Sequence, residues 1–224
     1  MTKPQQLPFD LGHRQAYGRE DFWVSDSNRD AVAWLDKWPD WPAPLLLIHG
    51  PAACGKTHLM HVWQGETAAV PVAPDDMAKI PADILLGDAR AVMIDNARQI
   101  AGDAAREEGL FHLYNLVKER GGHMLLVADK PAHEWGLALP DLQSRLLAGV
   151  SVAVGSPDDA LMAVVLTKLF SDRQIFVPQD VIQYILPRVE RSFQALRTLA
   201  DAIDRKALAE KRAVTVPLVR DILS

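Results

Sequence analysis

The pattern of apolar positions divides the chain into two parts. As far as about residue 155, short and wholly apolar runs alternate with amphipathic segments, and only helical periodicity follows. Short apolar runs are typical of strands covered on both faces, and their alternation with helices predicts a parallel sheet flanked by helices. The predicted strands are LLLIH, AVPVAP, AVMID, HMLLVAD and GVSVAV, at 45–49, 69–74, 91–95, 123–129 and 149–154.

Two further segments of the first part show helical spacing. A helix is predicted over 25–38, with Ser27 or Asp26 as its cap, and the proline-rich PDWPAP ends it. A second helix is predicted over 106–120, because four apolar residues recur there on one helical face. Those residues are Leu110, Leu113, Tyr114 and Val117.

The second part predicts a small all-helical domain. Its first segment opens like a capped helix, with Ser156 at the N-cap, Pro157 at the next position and Asp159 in the first turn. Three more helical segments follow it. We therefore expect three units: a tail over 1–20, an α/β domain over 21–155 and a helical domain over 156–224.

Composition is consistent with an ordinary globular protein and excludes few classes of function. The chain of 224 residues is 49% hydrophobic and 24% charged, as in an ordinary globular protein. A net charge of −5 argues against a strong standing attraction to nucleic-acid phosphates. The single cysteine, Cys54, excludes an intrachain disulfide and suits a reducing compartment. No signal peptide or membrane span is apparent, so we expect a cytoplasmic protein.

A glycine-rich loop carries the clearest chemical signal. GPAACGKT, at 50–57, matches G-x-x-x-x-G-K-[ST] between a predicted strand and a predicted helix, the context that makes the motif credible. Its backbone N–H groups would face phosphate oxygens, Lys56 would reach the β- and γ-phosphates, and Thr57 would ligate Mg²⁺. We therefore predict ADP or ATP with Mg²⁺ as the ligand. The predicted contacts are Gly50, Pro51, Ala52, Ala53, Cys54, Gly55, Lys56, Thr57 and His58.

The strand AVMID predicts the second half of a nucleotide site. Asp95 at its carboxyl end is placed to hold Mg²⁺ through water. The next residue is Asn96, where an acidic side chain would commonly activate the attacking water. Asn cannot act as a base, and a missing general base typically costs on the order of 10² to 10⁴ in rate. We predict good nucleotide binding and weak or absent intrinsic ATP hydrolysis.

QLPFDL, at 6–11, places apolar side chains on an otherwise polar tail. Termini are usually poorly ordered unless something holds them in place. The segment is therefore expected to pack either on its own domain or on another protein.

Taken together, these motifs resemble the AAA+ domain of the bacterial replication initiator DnaA. The resemblance covers about residues 20 to 224. It rests on FWVSDSNRDAVAWL, GPAACGKTHLMHV, MIDNARQIAG, EEGLFHLYNLVKERGGHMLLVADKPAHEW, LPDLQSRLLAG and RVERSFQALRTL. It implies an AAA+ nucleotide-binding domain over 21–155 and a lid domain over 156–224.

Two departures from the initiator are informative. The sequence ends where an initiator would be expected to continue into its helix-turn-helix DNA-binding domain, and a short tail is expected to stand in place of the initiator's long N-terminal region. This combination resembles the Hda family of DnaA-related regulators. The resemblance implies two partners, DnaA and the sliding clamp, which is the β subunit of DNA polymerase III. It also implies stimulated hydrolysis of DnaA-bound ATP, which limits replication initiation.

The resemblance assigns roles to individual residues. Asp129 is implied as sensor 1 near the γ-phosphate, and Arg145 as an arginine finger that acts in trans on a neighbouring DnaA. Arg191 is implied as sensor 2 in the lid, although Arg188 lies close enough to leave that register open. The clamp-binding residues would be Gln6, Leu7, Phe9 and Leu11.

Two other functions compete with this interpretation. One is an autonomous DnaA-like ATPase, such as a helicase loader or DNA-remodelling factor, and Asn96 speaks against it. The other is a scaffold that binds single-stranded DNA, which the acidic net charge weakens. We expect DNA to be reached mainly through the clamp, no membrane partner, and possible homo-oligomers.

Overall fold

The computed structural model describes residues 23–223, so the tail segment QLPFDL lies outside the described residues. Five parallel strands form one sheet in the order β2-β3-β4-β1-β5, which confirms the predicted fold class. The strands are β1 (Leu45–His49), β2 (Val70–Pro71), β3 (Ala91–Ile94), β4 (His123–Ala128) and β5 (Val150–Ala153). The second strand is thus shorter than predicted.

Nine α-helices surround or follow this sheet within residues 23–223. Short 3-10 turns at Ala97–Ile100 and Ala132–Glu134 follow β3 and β4. The helices are α1 (Arg29–Asp36), α2 (Lys56–Thr67), α3 (Ala82–Leu86), α4 (Ala104–Glu119), α5 (Pro140–Ala148), α6 (Asp159–Asp172), α7 (Gln179–Ile185), α8 (Phe193–Glu210) and α9 (Val216–Leu223). The four helices predicted after residue 155 are α6 to α9.

Strand register brings the sheet's carboxyl ends together. In the β1–β4 pair, Leu45 lies opposite Met124 and His49 opposite Ala128. β1 also pairs with β5, and β3 pairs with β4 on its other side. Residues that follow β1, β3 and β4 therefore meet at one edge, which we call the carboxyl edge. The opposite edge, where the strands begin, is the amino edge.

Both predicted helix caps differ from the structure. The cap of α6 is Asp158, whose carboxylate accepts a hydrogen bond from the Leu161 N–H at 2.8 Å, so the prediction of Ser156 was wrong. A carboxylate is a stronger acceptor than a hydroxyl, and Asp158 has the extended backbone that a cap needs. The N-cap position of α1 is occupied by Asn28, so the prediction of Ser27 or Asp26 as its cap was also wrong.

Three apolar clusters build the core. One covers the sheet face beneath α4 and α5, and it includes all four of the apolar residues predicted on α4. The second covers the other face beneath α1 and α2. The third belongs to the helices after residue 155, around Phe170 and Leu196. In the described part of the chain, no helix has the length and apolarity needed to cross a membrane.

Aromatic side chains fill the amino edge. The ring of Trp63 on α2 stacks on Trp41 with centroids 5.6 Å apart and meets Trp38 edge-on at 6.4 Å. His123, the first residue of β4, contacts the rings of Trp38 and Trp41 edge-on at 6.1 and 5.4 Å. We call Trp38, Trp41, Trp63 and His123 the tryptophan group.

Candidate nucleotide site

The glycine-rich loop joins β1 to α2 at the carboxyl edge. The Gly50 N–H donates to the Ala128 carbonyl at 3.3 Å, which ties the start of the loop to the end of β4. A Cβ at Gly50 would lie 2.1 Å from the Val154 carbonyl oxygen. Only glycine therefore allows the loop to pass this close to the chain that leaves β5.

Gly55 performs a second task at the other end of the loop. It caps α2 in the left-handed region at φ +102°, which L side chains rarely adopt. A Cβ there would lie 2.8 Å from the ring of Phe193 on α8. The 12-residue α2 thus starts with its N-terminus facing the loop, where its dipole favours an anion.

Lys56 closes the loop on itself. Its Nζ donates to the carbonyl oxygens of Gly50 at 2.9 Å and Pro51 at 2.6 Å. The ammonium is thereby held at the centre of the loop, with donors that a phosphate oxygen can take over. This geometry fits the predicted contact with the β- and γ-phosphates.

Thr57 and Asp95 meet across the carboxyl edge, although 38 positions separate them in sequence. The Thr57 hydroxyl donates to the Asp95 carboxylate at 2.8 Å, and the other carboxylate oxygen accepts the Asn96 N–H at 2.7 Å. Hydroxyl and carboxylate oxygens are ligands that Mg²⁺ prefers, with phosphates and water completing its shell. Within residues 23–223, no group of three or more His, Cys, Asp or Glu is placed to hold a metal by itself.

Asn96 has an unusual backbone for a non-glycine residue. Its φ is +51°, in the left-handed region, which Asn tolerates better than most residues. The side chain is exposed and carries an amide, so the position next to Asp95 offers no carboxylate base.

Asp129 follows β4 directly and is exposed at the same edge. Its carboxylate accepts a hydrogen bond from Arg98 Nη1 at 2.7 Å, and the two groups form an ion pair. Lys130, the next residue, pairs with Glu134 at 2.8 Å. The hydrogen bond from Lys130 and its charge lower the pKa of Glu134.

His49 lies at the base of the loop and is partly buried. Burial lowers the pKa of His49, and the charges of His133 and Lys56 lower it further, against an opposing effect of Glu134. The neutral form of the ring is therefore favoured at pH 7.

The helices after residue 155 contact the loop through the start of α8. The Phe193 N–H donates to the Ala53 carbonyl at 3.1 Å. A cavity of about 210 Å³ lies between the loop and α8. Its lining comprises Ala53, Gly55, Lys56, Thr57, His58, Phe193, Gln194 and Arg197.

The predicted sensor 2 residue is not among the residues lining this cavity. Arg191 is exposed, and its guanidinium pairs with Asp159 of α6 at 2.8 Å. Arg197, which sequence reasoning missed, lies one helical turn after Phe193 and does line the cavity. Arg197 lies on the same face of α8 as Phe193, so helical spacing would have identified it once Phe193 was known to face the loop. Only the folded structure shows that Phe193 faces the loop.

Arg145 lies away from the cavity, on the exposed side of α5. Its guanidinium forms no hydrogen bond or ion pair with the described residues, 23–223. The loop that leads into α5 is held by Glu107, a carboxylate that is only 1% exposed. Glu107 accepts N–H donors from Gly102 at 2.9 Å, Ala138 at 2.9 Å and Leu139 at 2.8 Å.

The helices after residue 155 are similar to a known family of lid domains. Residues 159–223 match the family model described as "Hda, lid domain". The matched residues comprise α6 to α9, so they include Phe193 and Arg197. The resemblance drawn from the sequence is confirmed at the level of this domain.

Solved structures confirm the AAA+ fold. Domain III of the Thermotoga maritima replication initiation protein DnaA matches with a TM-score of 0.80 at 17% identity, covering 96% of each chain. AMPPCP-bound DnaA from Aquifex aeolicus matches with a TM-score of 0.73 at 18% identity, covering 86% of this chain and 66% of that one. The RuvB Holliday junction branch migration motor of T. maritima matches with a TM-score of 0.64 at 19% identity, covering 80% and 60%.

The chain therefore spans about two thirds of the length of the longer DnaA structure. It shares the AAA+ fold of these DnaA structures, and its residues 159–223 match the Hda lid model.

Proposed function

We propose that this chain is a nucleotide-binding regulator that joins the DNA-loaded sliding clamp to DnaA and stimulates hydrolysis of DnaA-bound ATP, in the cytoplasm. The observation that carries the proposal is the glycine-rich loop packed against helices that match the Hda lid model. The contact between Thr57 and Asp95 supports a site for a nucleotide with Mg²⁺. The proposed partners are DnaA and the clamp, with DNA reached through the clamp.

Nucleotide binding would be built from both domains. The loop supplies N–H donors, Lys56 replaces its own carbonyl contacts with phosphate contacts, and Thr57 with Asp95 holds Mg²⁺. From the lid, Arg197 is better placed than Arg191 to reach the phosphates, because only Arg197 lines the cavity next to Lys56. Binding at this site would stabilise the contact between the lid and the loop.

Hydrolysis by the protein alone is proposed to be weak. Asn96 has no carboxylate to orient or activate water, and Asp129 is engaged by Arg98. The nucleotide then serves as a structural ligand that stabilises the position of the lid. The catalytic group of this chain acts instead on the ATP bound to DnaA.

The contribution to the partner is assigned to Arg145. A guanidinium inserted from a neighbouring subunit stabilises charge on the transferring phosphoryl group and supplies roughly 10³ to 10⁵ in rate. Arg145 is exposed and unengaged by the described residues, so it is available to another chain. Glu107 fixes the loop before α5 and so holds the helix that carries Arg145 in a defined position.

Clamp binding is assigned to the segment at 6–11. Leu7, Phe9 and Leu11 would enter an apolar groove, with Gln6 as a polar anchor. Pro8 restricts the peptide backbone and lowers the ordering cost of docking.

The decisive experiment follows hydrolysis of DnaA-bound ATP with DNA-loaded clamp present. The wild-type chain should accelerate hydrolysis, Arg145→Ala should abolish the acceleration while retaining clamp binding, and removal of residues 1–12 should abolish clamp binding. Arg212→Ala is the matched control, because Arg212 is an exposed arginine in the lid, in the turn between α8 and α9. No acceleration by the wild-type chain would overturn the proposal, and rapid turnover by the chain alone would favour an autonomous ATPase.

A further inference from the structure

The ion pair between Arg98 and Asp129 lies at the phosphate end of the proposed nucleotide site. In the sheet order, β4 lies between β1 and β3, so Asp129 follows a strand flanked by the loop on one side and Asp95 on the other. The hydrogen bond from Gly50 to Ala128 ties the residue before Asp129 to the start of the loop. Asp129 is thus fixed between the residues that would hold the terminal phosphate and its Mg²⁺.

Arg98 reaches Asp129 from the short turn at Ala97–Ile100, three residues after Asp95. Arg98 Nη1 lies 2.7 Å from Asp129 Oδ2, and the two side chains are 43% and 54% exposed. Exposed ion pairs contribute little to folding stability. Loss of this ion pair should therefore leave folding stability nearly unchanged, and its main effect is on the charge around Asp129.

Without Arg98, Asp129 would present an uncompensated negative charge to the terminal phosphate. The neighbouring cation Lys130 does not replace Arg98, because Lys130 is paired with Glu134 at 2.8 Å. Lys56 lies at the loop, and the neutral form of His49 is favoured at pH 7. The balance of charge around Asp129 thus depends on Arg98.

We propose that Arg98 sets the preference of this site between a nucleoside triphosphate and a nucleoside diphosphate, by neutralising Asp129 where the γ-phosphate would lie. This inference rests on the nucleotide site proposed above. A triphosphate brings an additional negative group close to Asp129, whereas a diphosphate ends one phosphate earlier. Loss of the Arg98 charge should consequently weaken triphosphate binding and leave diphosphate binding nearly unchanged.

The test compares the dissociation constants of ADP and the non-hydrolysable triphosphate AMPPNP, both with Mg²⁺, by equilibrium titration of the purified chain. For Arg98→Gln, the ratio of the AMPPNP constant to the ADP constant should rise roughly three- to thirty-fold over wild type, given the half-exposed setting. The ADP constant should stay within about twofold. Arg212→Gln, which changes another exposed arginine paired with a carboxylate, should leave the ratio unchanged.

A second pair of variants isolates the interaction itself. Asp129→Asn should lower the ratio, because the repelling carboxylate is gone while Arg98 keeps its charge. Arg98→Gln combined with Asp129→Asn should return the ratio towards the wild-type value, since neither charge remains. Thermal unfolding of all variants without nucleotide provides the check on folding.

The outcomes separate this inference from the proposal on which it rests. Wild-type protein that binds neither nucleotide would overturn the nucleotide site, and the inference with it. Binding by wild type, with equal weakening of both nucleotides in Arg98→Gln, would overturn the inference alone. A double variant that behaves like Arg98→Gln would also overturn it, because the effect would then not pass through Asp129.

Discussion

The two edges of the sheet are built in opposite ways. At the carboxyl edge, polar side chains make single hydrogen bonds that a ligand can replace, such as Lys56 to loop carbonyls and Thr57 to Asp95. At the amino edge, the tryptophan group packs ring against ring, and Trp63 is only 1% exposed. One helix, α2, joins the two edges, because it begins at Lys56 and carries Trp63 two turns later.

This difference separates binding from folding. Apolar contacts at the amino edge are numerous and have no alternative partner, so their loss costs stability directly. Polar contacts at the carboxyl edge are half exposed and individually weak, so they can change partners without unfolding the chain. Substitutions at the two edges should consequently affect different measurements.

The largest effect is expected at the amino edge. Trp63→Ala should lower the free energy of unfolding by about 3–5 kcal/mol, because it removes a fully buried ring from between Trp38 and Trp41. Urea denaturation measures the loss. Trp23→Ala is the control, since Trp23 is 55% exposed, and it should change stability by less than about 0.5 kcal/mol. Similar losses in both variants would contradict the proposed division between the edges.

At the carboxyl edge, Lys56→Ala should affect nucleotide binding rather than folding. Loss of charge-assisted contacts to phosphate of about 1.5–3 kcal/mol corresponds to roughly ten- to hundred-fold weaker binding of ADP. Its free energy of unfolding without nucleotide should change by less than about 1 kcal/mol. Lys118→Ala, on the exposed side of α4, is the matched control and should change neither quantity. A large loss of stability in Lys56→Ala would show that the loop also supports the fold.

Glu107 is an exception that sharpens the comparison, because it is a buried polar group on the side of the carboxyl edge. Glu107→Gln should cost about 1–3 kcal/mol, since an amide cannot accept all the N–H groups that now face the carboxylate. Glu108→Gln, on the next residue with a side chain 71% exposed, is the control. Under the proposed function, the Glu107 variant should also stimulate hydrolysis of DnaA-bound ATP less than the Glu108 variant does.

The smallest effect concerns pH. Burial lowers the pKa of His123 at the amino edge, against a hydrogen bond to the Pro39 backbone, and burial also lowers the pKa of His49 at the carboxyl edge. The unfolded chain then binds more protons than the folded one below the ordinary value of 6.5, so stability is complete above that pH and falls as the pH drops through it.

The two histidines should respond differently to nucleotide. Phosphate charge near His49 favours its protonated form, so saturating ADP should remove the part of the acid sensitivity that depends on His49. His123→Asn should remove the other part with or without ADP. Melting temperatures between pH 5 and 7.5 measure both effects. Acid sensitivity that is identical in His123→Asn and wild type would show that the tryptophan group does not contribute to it.

Local sequence patterns predicted the parts of the fold that depend on local chemistry. Apolar runs gave the strands, and helical spacing placed Leu110 and Tyr114 on the buried face of α4. The loop motif gave Lys56 and Thr57 because the chemistry of phosphate binding requires those residue types in that order. Caps were less predictable, since Ser156 and Asp158 both qualify by type and only the backbone of the folded chain distinguishes them.

Contacts between distant segments could not be predicted in the same way. Arg98 and Asp129 are 31 positions apart, and no local pattern pairs them. The helical spacing over 106–120 carries no signal that Glu107 is buried, and the loop before α5 buries it. Arg191 precedes α8 and pairs with Asp159, whereas Arg197 lies within α8 and lines the cavity, because the Phe193 contact fixes how α8 lies on the loop.

That contact has a consequence for protein engineering. Phe193 rests where any side chain at position 55 would have to go, and its backbone donates to Ala53. The lid and the loop therefore have complementary surfaces, although they belong to different segments of the chain. A chimera that joins this lid to the AAA+ core of another protein should need a glycine and an unpaired backbone carbonyl at the loop positions that match Gly55 and Ala53. Without them, the transplanted lid should not pack against the loop.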